Sequence, residues 1–366
     1  MYIHQSINWP NFKWKAEVIL PVLGEVRHRE GRIIGQMNAL GFKIRESTLL
    51  DTLTRDVTKS SEIEGEMLNV IQVRSSIARR LGISIIDGVA SSREVDGVVE
   101  MMLDATQKFD RPLTSERLFG WHDLLFPSGR SGMQKITVGK WRTAEAGPMQ
   151  VVSGPMGREI VHFEAPEAER LTAEMEQFIR WINHNNTNDA VIKAAIAHLW
   201  FVTIHPFDDG NGRITRALTD MLLARADGIP ERFYSMSAQI LKERNDYYQL
   251  LEKTQKGGMD ITAWLLWFLK CLNRAMDHTE ETIAGVTRRN EFWKKFQDVQ
   301  LNERQRHMIV TLLDSFFGKL TSGKWAKMNK CSADTALRDI QDLINKGVLI
   351  KESPGGRSTN YVLNWN

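Results

Sequence analysis

Apolar residues along the chain recur mostly at helical spacing, and only two short stretches break that rhythm. After a mixed aromatic and charged start (Tyr2, Trp9, Phe12, Trp14), the positions Val18, Leu20, Val22, Leu23 and Val26 mark a first helix. It either covers part of a core or meets a partner. Helical patterning resumes near Leu49. Leu68, Ile71 and Ile77 lead into a glycine turn at Leu81-Gly82, and Val95, Val98, Val99, Met102 and Leu103 form the next apolar face. Arg111-Pro112-Leu113-Thr114 reads as a break and an N-cap ahead of a stripe of Leu118, Trp121, Leu124 and Leu125. Pro166 opens another helix, with Leu171, Met175, Phe178, Ile179 and Ile182 on one side. Residues 191–204 are apolar nearly all round, the pattern of a buried central helix. Residues 213–224, 237–254 and 260–288 are expected to form three more helices.

The first departure runs from Pro127 to Phe163. Glycine and proline punctuate it, and β-branched pairs appear at Ile136-Thr137-Val138, Val151-Val152 and Ile160-Val161. Gly154-Pro155-Met156-Gly157 separates the last two pairs, which predicts a hairpin. A lone hairpin in a helical chain suits a flap better than a core sheet. The second departure is the C-terminal end. Helices are expected at 301–317 and 321–330. Ser332 caps a third, with Leu337, Ile340, Leu343 and Ile344 buried. Val348-Leu349-Ile350 and Tyr361-Val362-Leu363 then flank the turn Ser353-Pro354-Gly355-Gly356. Three helices and a two-stranded wing predict a winged helix-turn-helix. The expected fold is therefore all-α with a hairpin flap, in three regions: 1–110, 111–290 and 300–366.

Composition adds limits. At 366 residues the chain exceeds what one core usually serves. Its 42% hydrophobic and 25% charged residues are those of a soluble globular protein. A net charge of +3 is too small to imply nucleic-acid binding, so any basic surface is local. From residue 301 onward, ten Lys and Arg stand against six Asp and Glu. Lys324, Lys327, Lys330, Arg338 and Arg357 would be the DNA phosphate contacts, with a protein-contact module as the alternative. Cys271 and Cys331 fit neither a disulfide framework nor a zinc cluster, which suits a reducing compartment. Trp9-Pro10 and scattered charges stand where a signal peptide needs an apolar segment, and the apolar run 263–269 is too short to span a bilayer. A cytoplasmic protein without a membrane segment is expected.

The chemistry concentrates in Ile204-His205-Pro206-Phe207-Asp208-Asp209-Gly210-Asn211-Gly212-Arg213-Ile214-Thr215-Arg216. Gly210-Asn211-Gly212 can form a nest of backbone N–H groups, and a helix starts directly after it, adding free donors and a partial positive charge. Arg213 and Arg216, three apart, can lean toward one anion. So many donors suit a di- or triphosphate. Asp209 at the lip would repel phosphates unless it holds a cation, and Mg²⁺ is the usual bridge. His205 ends the preceding helix, placed to take a proton. Phe207 points inward and pins the loop. The chain has no Walker signature and no protein-kinase motifs. Further upstream, Ser60 and Glu64 share a helix face and Gly65 can end that helix; composition alone makes this a solvated acidic helix end.

His205 to Arg216 matches the Fic signature H-x-F-x-[DE]-G-N-G-R-x-x-R at every fixed position, and the sequence resembles that family over residues 113–270. The resemblance implies a helical Fic fold and transfer of AMP from ATP to a Ser, Thr or Tyr hydroxyl of a protein, itself included. His205 would deprotonate the target. Phe207, Asp209, Gly210, Asn211, Gly212, Arg213 and Arg216 would line the ATP site: Asp209 on Mg²⁺, Gly210, Asn211, Gly212 and Arg213 on the phosphates, Arg216 on the γ-phosphate. Tyr247 or Tyr248 would lie near the adenine. Val151, Val152, Ser153 and Gly154 of the flap would pair with an extended target segment. Ser60, Glu64 and Gly65 fit the family's inhibitory-helix pattern [ST]-x-x-x-E-[GN], so Glu64 would take Arg216 from the γ-phosphate. Alternatives are removal of AMP, with Glu64 orienting a water, and a DNA-binding regulator acting through the winged helix. A homodimer is compatible with all of these.

Overall fold

The first apolar run folds as one long helix, α1 (Ala16–Ala39), in the computed structural model, which describes residues 1–85, 88–154, 158, 160–184, 189–314, 316, 318–352 and 359–365. Its buried stripe is Ile19, Leu23, Val26, Ile33 and Met37, whereas the expected core residue Leu20 is 60% exposed. The i, i+4, i+7 register of Ile19 carries the face, and Leu20 falls on its far side. Next come α2 (Phe42–Ile63), α3 (Val70–Leu81), α4 (Arg93–Gln107) and α5 (Ser115–Leu125). Asn69, Ser92 and Thr114 cap the last three through their side-chain oxygens. Gly82, in the left-handed region, ends α3.

A two-residue ladder, β1 (Arg130–Ser131) with β2 (Gln134–Lys135), precedes the predicted hairpin, β3 (Gln150–Ser153) with β4 (Ile160–Glu164). Ile136-Thr137-Val138 forms no strand; there the Thr137 N–H donates to the Asp208 carboxylate instead of a ladder. The expected turn residues Pro155, Met156 and Gly157 lie outside the described residues, as do most of the polar loop after Asn183, the C-terminal turn 353–356 and Arg357. Then follow α6 (Leu171–Asn183), α7 (Ala190–Ile204), α8 (Asn211–Asp227), α9 (Met236–Lys242), α10 (Arg244–Gln255), α11 (Thr262–Ala275) and α12 (Asp277–Lys295). Pro166 does not open α6: a 3-10 turn at Ala168–Arg170 intervenes. The helix expected at 237–254 is two, broken at Glu243, whose carboxylate is clamped by the Arg274 guanidinium (2.6 and 2.5 Å). The helix expected at 260–288 breaks at Met276.

The chain divides into units of residues 1–279 and 280–366. In the first, α7 is the axis. It is buried on every side, and α6, α8 and α11 pack around it. Trp264 of α11 donates its indole N–H to the Ala195 carbonyl of α7 (2.8 Å). α1 lies on α11, α2 on α9 and α3, and α4 on α8. In the second unit, α13 (Glu303–Asp314), α14 (Ser322–Met328) and α15 (Ala333–Asn345) join an antiparallel pair, β5 (Leu349–Lys351) with β6 (Tyr361–Leu363). Met308, Trp325, Ile340, Leu343, Val348 and Leu363 fill its core. Leu337, expected there, is 47% exposed, because α15 turns Ala336, Ile340 and Leu343 inward.

α4 and α5 approach unusually closely at Gly97, where a methyl group would lie 1.9 Å from the Leu124 carbonyl oxygen. Gly97→Ala should therefore destabilise the protein by about 1–3 kcal/mol through overpacking, read as a lowered urea midpoint at unchanged slope.

Candidate active site

The site is a bend between two helices, built by backbone constraints. α7 ends at His205, whose left-handed φ of 52° closes the helix while its N–H still reaches the Phe201 carbonyl (3.0 Å). Phe207 turns inward, fully buried, and stacks on His122 (4.2 Å, 11°). Asn211 clasps the loop from inside: its Oδ1 accepts from Phe207 N–H (3.0 Å) and its Nδ2 donates to the Phe207 carbonyl (2.7 Å). Asn211 thus shapes the bend with its side chain turned into the protein. Gly210 sits at φ 80° as the N-cap of α8, and a Cβ there would meet the Phe126 ring at 2.8 Å. The first turn of α8 follows, with N–H groups that have no helical partner.

Arg142, which sequence reasoning missed, supports this bend. It is 4% exposed. Its Nε donates to the His205 carbonyl (2.9 Å), its backbone N–H to the Pro206 carbonyl (2.9 Å), and its Nη2 to the Pro166 carbonyl. His122 was also missed. Its Nε2 donates to the Asp209 carbonyl (3.1 Å) while its Nδ1 accepts from Gly139 N–H (3.3 Å), which fixes the tautomer. Neither residue belongs to a motif. Only the three-dimensional crossing of 122–142 over the bend reveals them.

The His205 ring is partly accessible yet deep enough for burial to dominate its titration. Burial, with Arg142 adding to it, lowers its pKa to about 4, against the Val202 carbonyl, Glu64 and Asp209, which favour the charged ring. Its Nδ1 lies 3.2 Å from the Val202 carbonyl and so carries the proton. Nε2 is left with a free lone pair, the form a general base needs at neutral pH.

Around this imidazole the charges are paired. Arg216, 2% exposed, donates Nε to Ser60 Oγ (2.8 Å) and Nη2 to both the Ser60 carbonyl (2.8 Å) and Glu64 Oε1 (2.8 Å). α2 and α8 thus bring together the residues that sequence placed 156 positions apart. Ser60 is buried, contrary to the solvated helix end that composition suggested. Glu64 also covers the nest: a Cβ on Gly212 would fall 2.0 Å from Glu64 Oε1. Arg213 pairs with Glu66, a partner not foreseen, and lies over the Phe126 ring (5.0 Å). The Asp209 carboxylate, partly exposed at the lip, accepts from Ser131 Oγ and Gly210 N–H; Asp208 turns away to Thr137. Tyr247 is buried and its hydroxyl meets His198 (2.9 Å), whereas Tyr248 is 38% exposed beside Arg244. The two tyrosines therefore face different surroundings. Val152, Ile160 and Val161 leave an apolar surface on the flap (47%, 62% and 38% exposed).

Residues 112–223 match the Fic/DOC family, and residues 2–83 match a domain of unknown function (DUF4172). The chain is 38% identical over 105 residues to a protein adenylyltransferase Fic of Drosophila yakuba, covering 28% of this chain and 20% of that protein. It is 28% identical over 223 residues to protein adenylyltransferase fic-1 of Caenorhabditis elegans, covering 59% of this chain and 40% of that one. The chain thus spans a fifth to two fifths of these relatives. Its fold resembles the crystal structure of a Fic family protein from Desulfovibrio desulfuricans G20, at TM-score 0.52 and 20% identity over 94% of this chain and 97% of that one.

A lowered pKa means that His205 stays neutral as pH falls below 6.5 and takes its proton only near 4. Between those values an unfolded histidine binds protons that the folded one does not, so its contribution to stability falls as pH drops through that window. Ring NMR should find the His205 midpoint near 4; a midpoint at or above 6.5 contradicts the burial argument.

Proposed function

From a chain that carries a Fic/DOC-family domain, we propose a protein adenylyltransferase that its own N-terminal region holds inhibited. The observation that carries the reading is a neutral imidazole with a free Nε2 at the mouth of a glycine nest and two buried arginines. ATP is the co-substrate. Its phosphates take the nest at Gly210–Gly212, Arg213 and Arg216. His205 Nε2 takes the proton of a target Ser, Thr or Tyr hydroxyl as that oxygen attacks the α-phosphorus. AMP joins the target and pyrophosphate leaves. Arg142, through the His205 and Pro206 carbonyls, keeps the imidazole aimed and adds to its preference for the neutral state.

The residues fit Mg²⁺. The Asp209 carboxylate stands beside the nest, where the phosphates would lie. That suits an ion shared between one carboxylate and nucleotide phosphates. Bound there by Asp209, it would neutralise charge on the phosphate oxygens. The β3–β4 flap is the docking edge for an extended target segment, supported by its exposed apolar side chains and its two-stranded form. Glu64 holds Arg216 from the γ-phosphate, which is the basis of the inhibition. We assign the enzyme to the cytoplasm, where Cys271 and Cys331, both unpaired, would stay reduced. Among the described residues no helix is long and apolar enough to cross a membrane.

For residues 300–366 we propose a winged helix, with Lys327, Lys330 and Arg338 exposed and available to a DNA backbone.

Incubation with radiolabelled ATP and Mg²⁺ tests the first reading. Glu64→Gly should raise protein labelling roughly 5–150-fold over wild type, and His205→Ala should lower it about 10²–10⁴-fold. A Glu64→Gly protein that labels nothing, itself included, defeats it. For the second, duplex DNA should bind with an affinity that falls steeply with salt, and neutralising Lys327, Lys330 and Arg338 should flatten that slope by about 0.9 for each DNA phosphate left without its cation. Binding that ignores salt counts against DNA.

A further inference from the structure

The inhibitory pattern ends at Gly65, but the interactions of this segment continue past it. Gly65, at φ 85°, donates its N–H to the Glu62 carbonyl (3.0 Å), and Glu66 donates its own to the Ser61 carbonyl (3.0 Å). These two bonds make the glycine-dependent Schellman turn that closes α2. The turn carries the chain back across the end of the helix and directs the Glu66 side chain onto Arg213 Nη1. Arg213 is 6% exposed, so this carboxylate neutralises a charge that has little water to solvate it. The pairing is incomplete. Arg213 Nε is buried without a hydrogen-bond partner among the described residues, a donor left for another anion. Glu66 itself is 44% exposed and can swing out.

We propose that Glu66 is a second latch on the phosphate site, holding Arg213 as Glu64 holds Arg216, so that residues 64–66 stand in for two phosphate groups of the nucleotide. The inference rests on the nucleotide-phosphate reading above. The two carboxylates hold different arginines. Arg216 is the γ-phosphate's, so Glu64 acts against ATP. Arg213 serves the rest of the phosphate chain, so Glu66 acts against ADP as well. Gly65 then has a physical role beyond ending the helix, because only a left-handed residue there brings both carboxylates to the site at once. Glu62, one turn earlier, pairs with Lys59 (2.6 Å) and serves as a control for charge alone.

Calorimetric titration of the full chain with ADP and with ATP, in the presence of Mg²⁺, tests this. Glu66→Gln should tighten ADP binding about three- to fivefold, the range of a half-exposed ion pair, and do so again in a Glu64→Gly background. Glu62→Gln, with the same change in charge, should leave both affinities alone. The proposal is overturned if Glu66→Gln, folded by circular dichroism, binds both nucleotides as wild type does. It is equally overturned if the gain vanishes in the Glu64→Gly background, or if Glu62→Gln matches it. Should no variant bind either nucleotide while all remain folded, the nucleotide reading itself falls and the latch with it. Labelling by Glu64→Gly in the presence of an inert Glu66→Gln removes the latch alone.

Discussion

A guanidinium that is 2% exposed has to be matched by an anion, and this requirement at Arg216 organises the molecule. Desolvated and unpaired, the charge would cost several kcal/mol. In this structure Glu64 supplies the anion and Ser60 supplies two further oxygens. On the proposed reading the γ-phosphate of ATP takes the same guanidinium, so one buried charge has two mutually exclusive partners, one within the chain and one in solution. A ligand shifts such a balance only by its differential affinity for the two states.

How the internal partner is delivered depends on the polar interior beneath α2. Asp56 is buried and accepts from Ser235 Oγ (2.6 Å) and Ser237 N–H (3.3 Å). Arg232 and Asp220, each 1% exposed, form an ion pair between the same loop and α8. Nearby, Glu30 of α1 and Asp227 of α8 share the Tyr234 hydroxyl (3.2 and 3.3 Å). Burial, then the neighbouring Glu30 carboxylate, pushes the Asp227 carboxyl up to about 7, against Arg27 and Tyr234. Moving α2 as a body would break the contacts of Asp56 with Ser235 and Ser237 and leave a buried carboxylate without partners, which is costly. Turning the Glu64 side chain at the end of the helix breaks neither contact. The body of α2 is held by buried contacts, whereas the Glu64 side chain at its end is one-third exposed.

Much of the fold was legible because the apolar spacing was regular. α4, α5, α7 and the β3–β4 hairpin stand where the pattern predicted them. The failures share a cause. Leu20 and Leu337 are apolar residues on outward faces, which spacing alone could not tell from the core. The helix breaks at Glu243 and Met276 lie inside continuous helical patterns, and the first is fixed by a clamp from Arg274, distant in sequence. Pro166 is a helix-start signal that a 3-10 turn separates from α6.

The chemistry divides in the same way. Sequence alone determined the parts with fixed local spacing: His205 at a helix end, the Gly-Asn-Gly bend and two arginines one turn apart, all set by backbone geometry within a dozen residues. Ser60, Glu64 and Gly65 stood out only through the resemblance to the family's inhibitory-helix pattern. Only the tertiary structure decided what those groups touch. It set the neutral state of His205 through burial, the grip of Arg142 on the bend, the pairing of Glu66 with Arg213, and the separation of buried Tyr247 from exposed Tyr248. The physical reason is that spacing along a chain fixes torsion angles and faces, whereas charge pairing and desolvation depend on which distant segments meet.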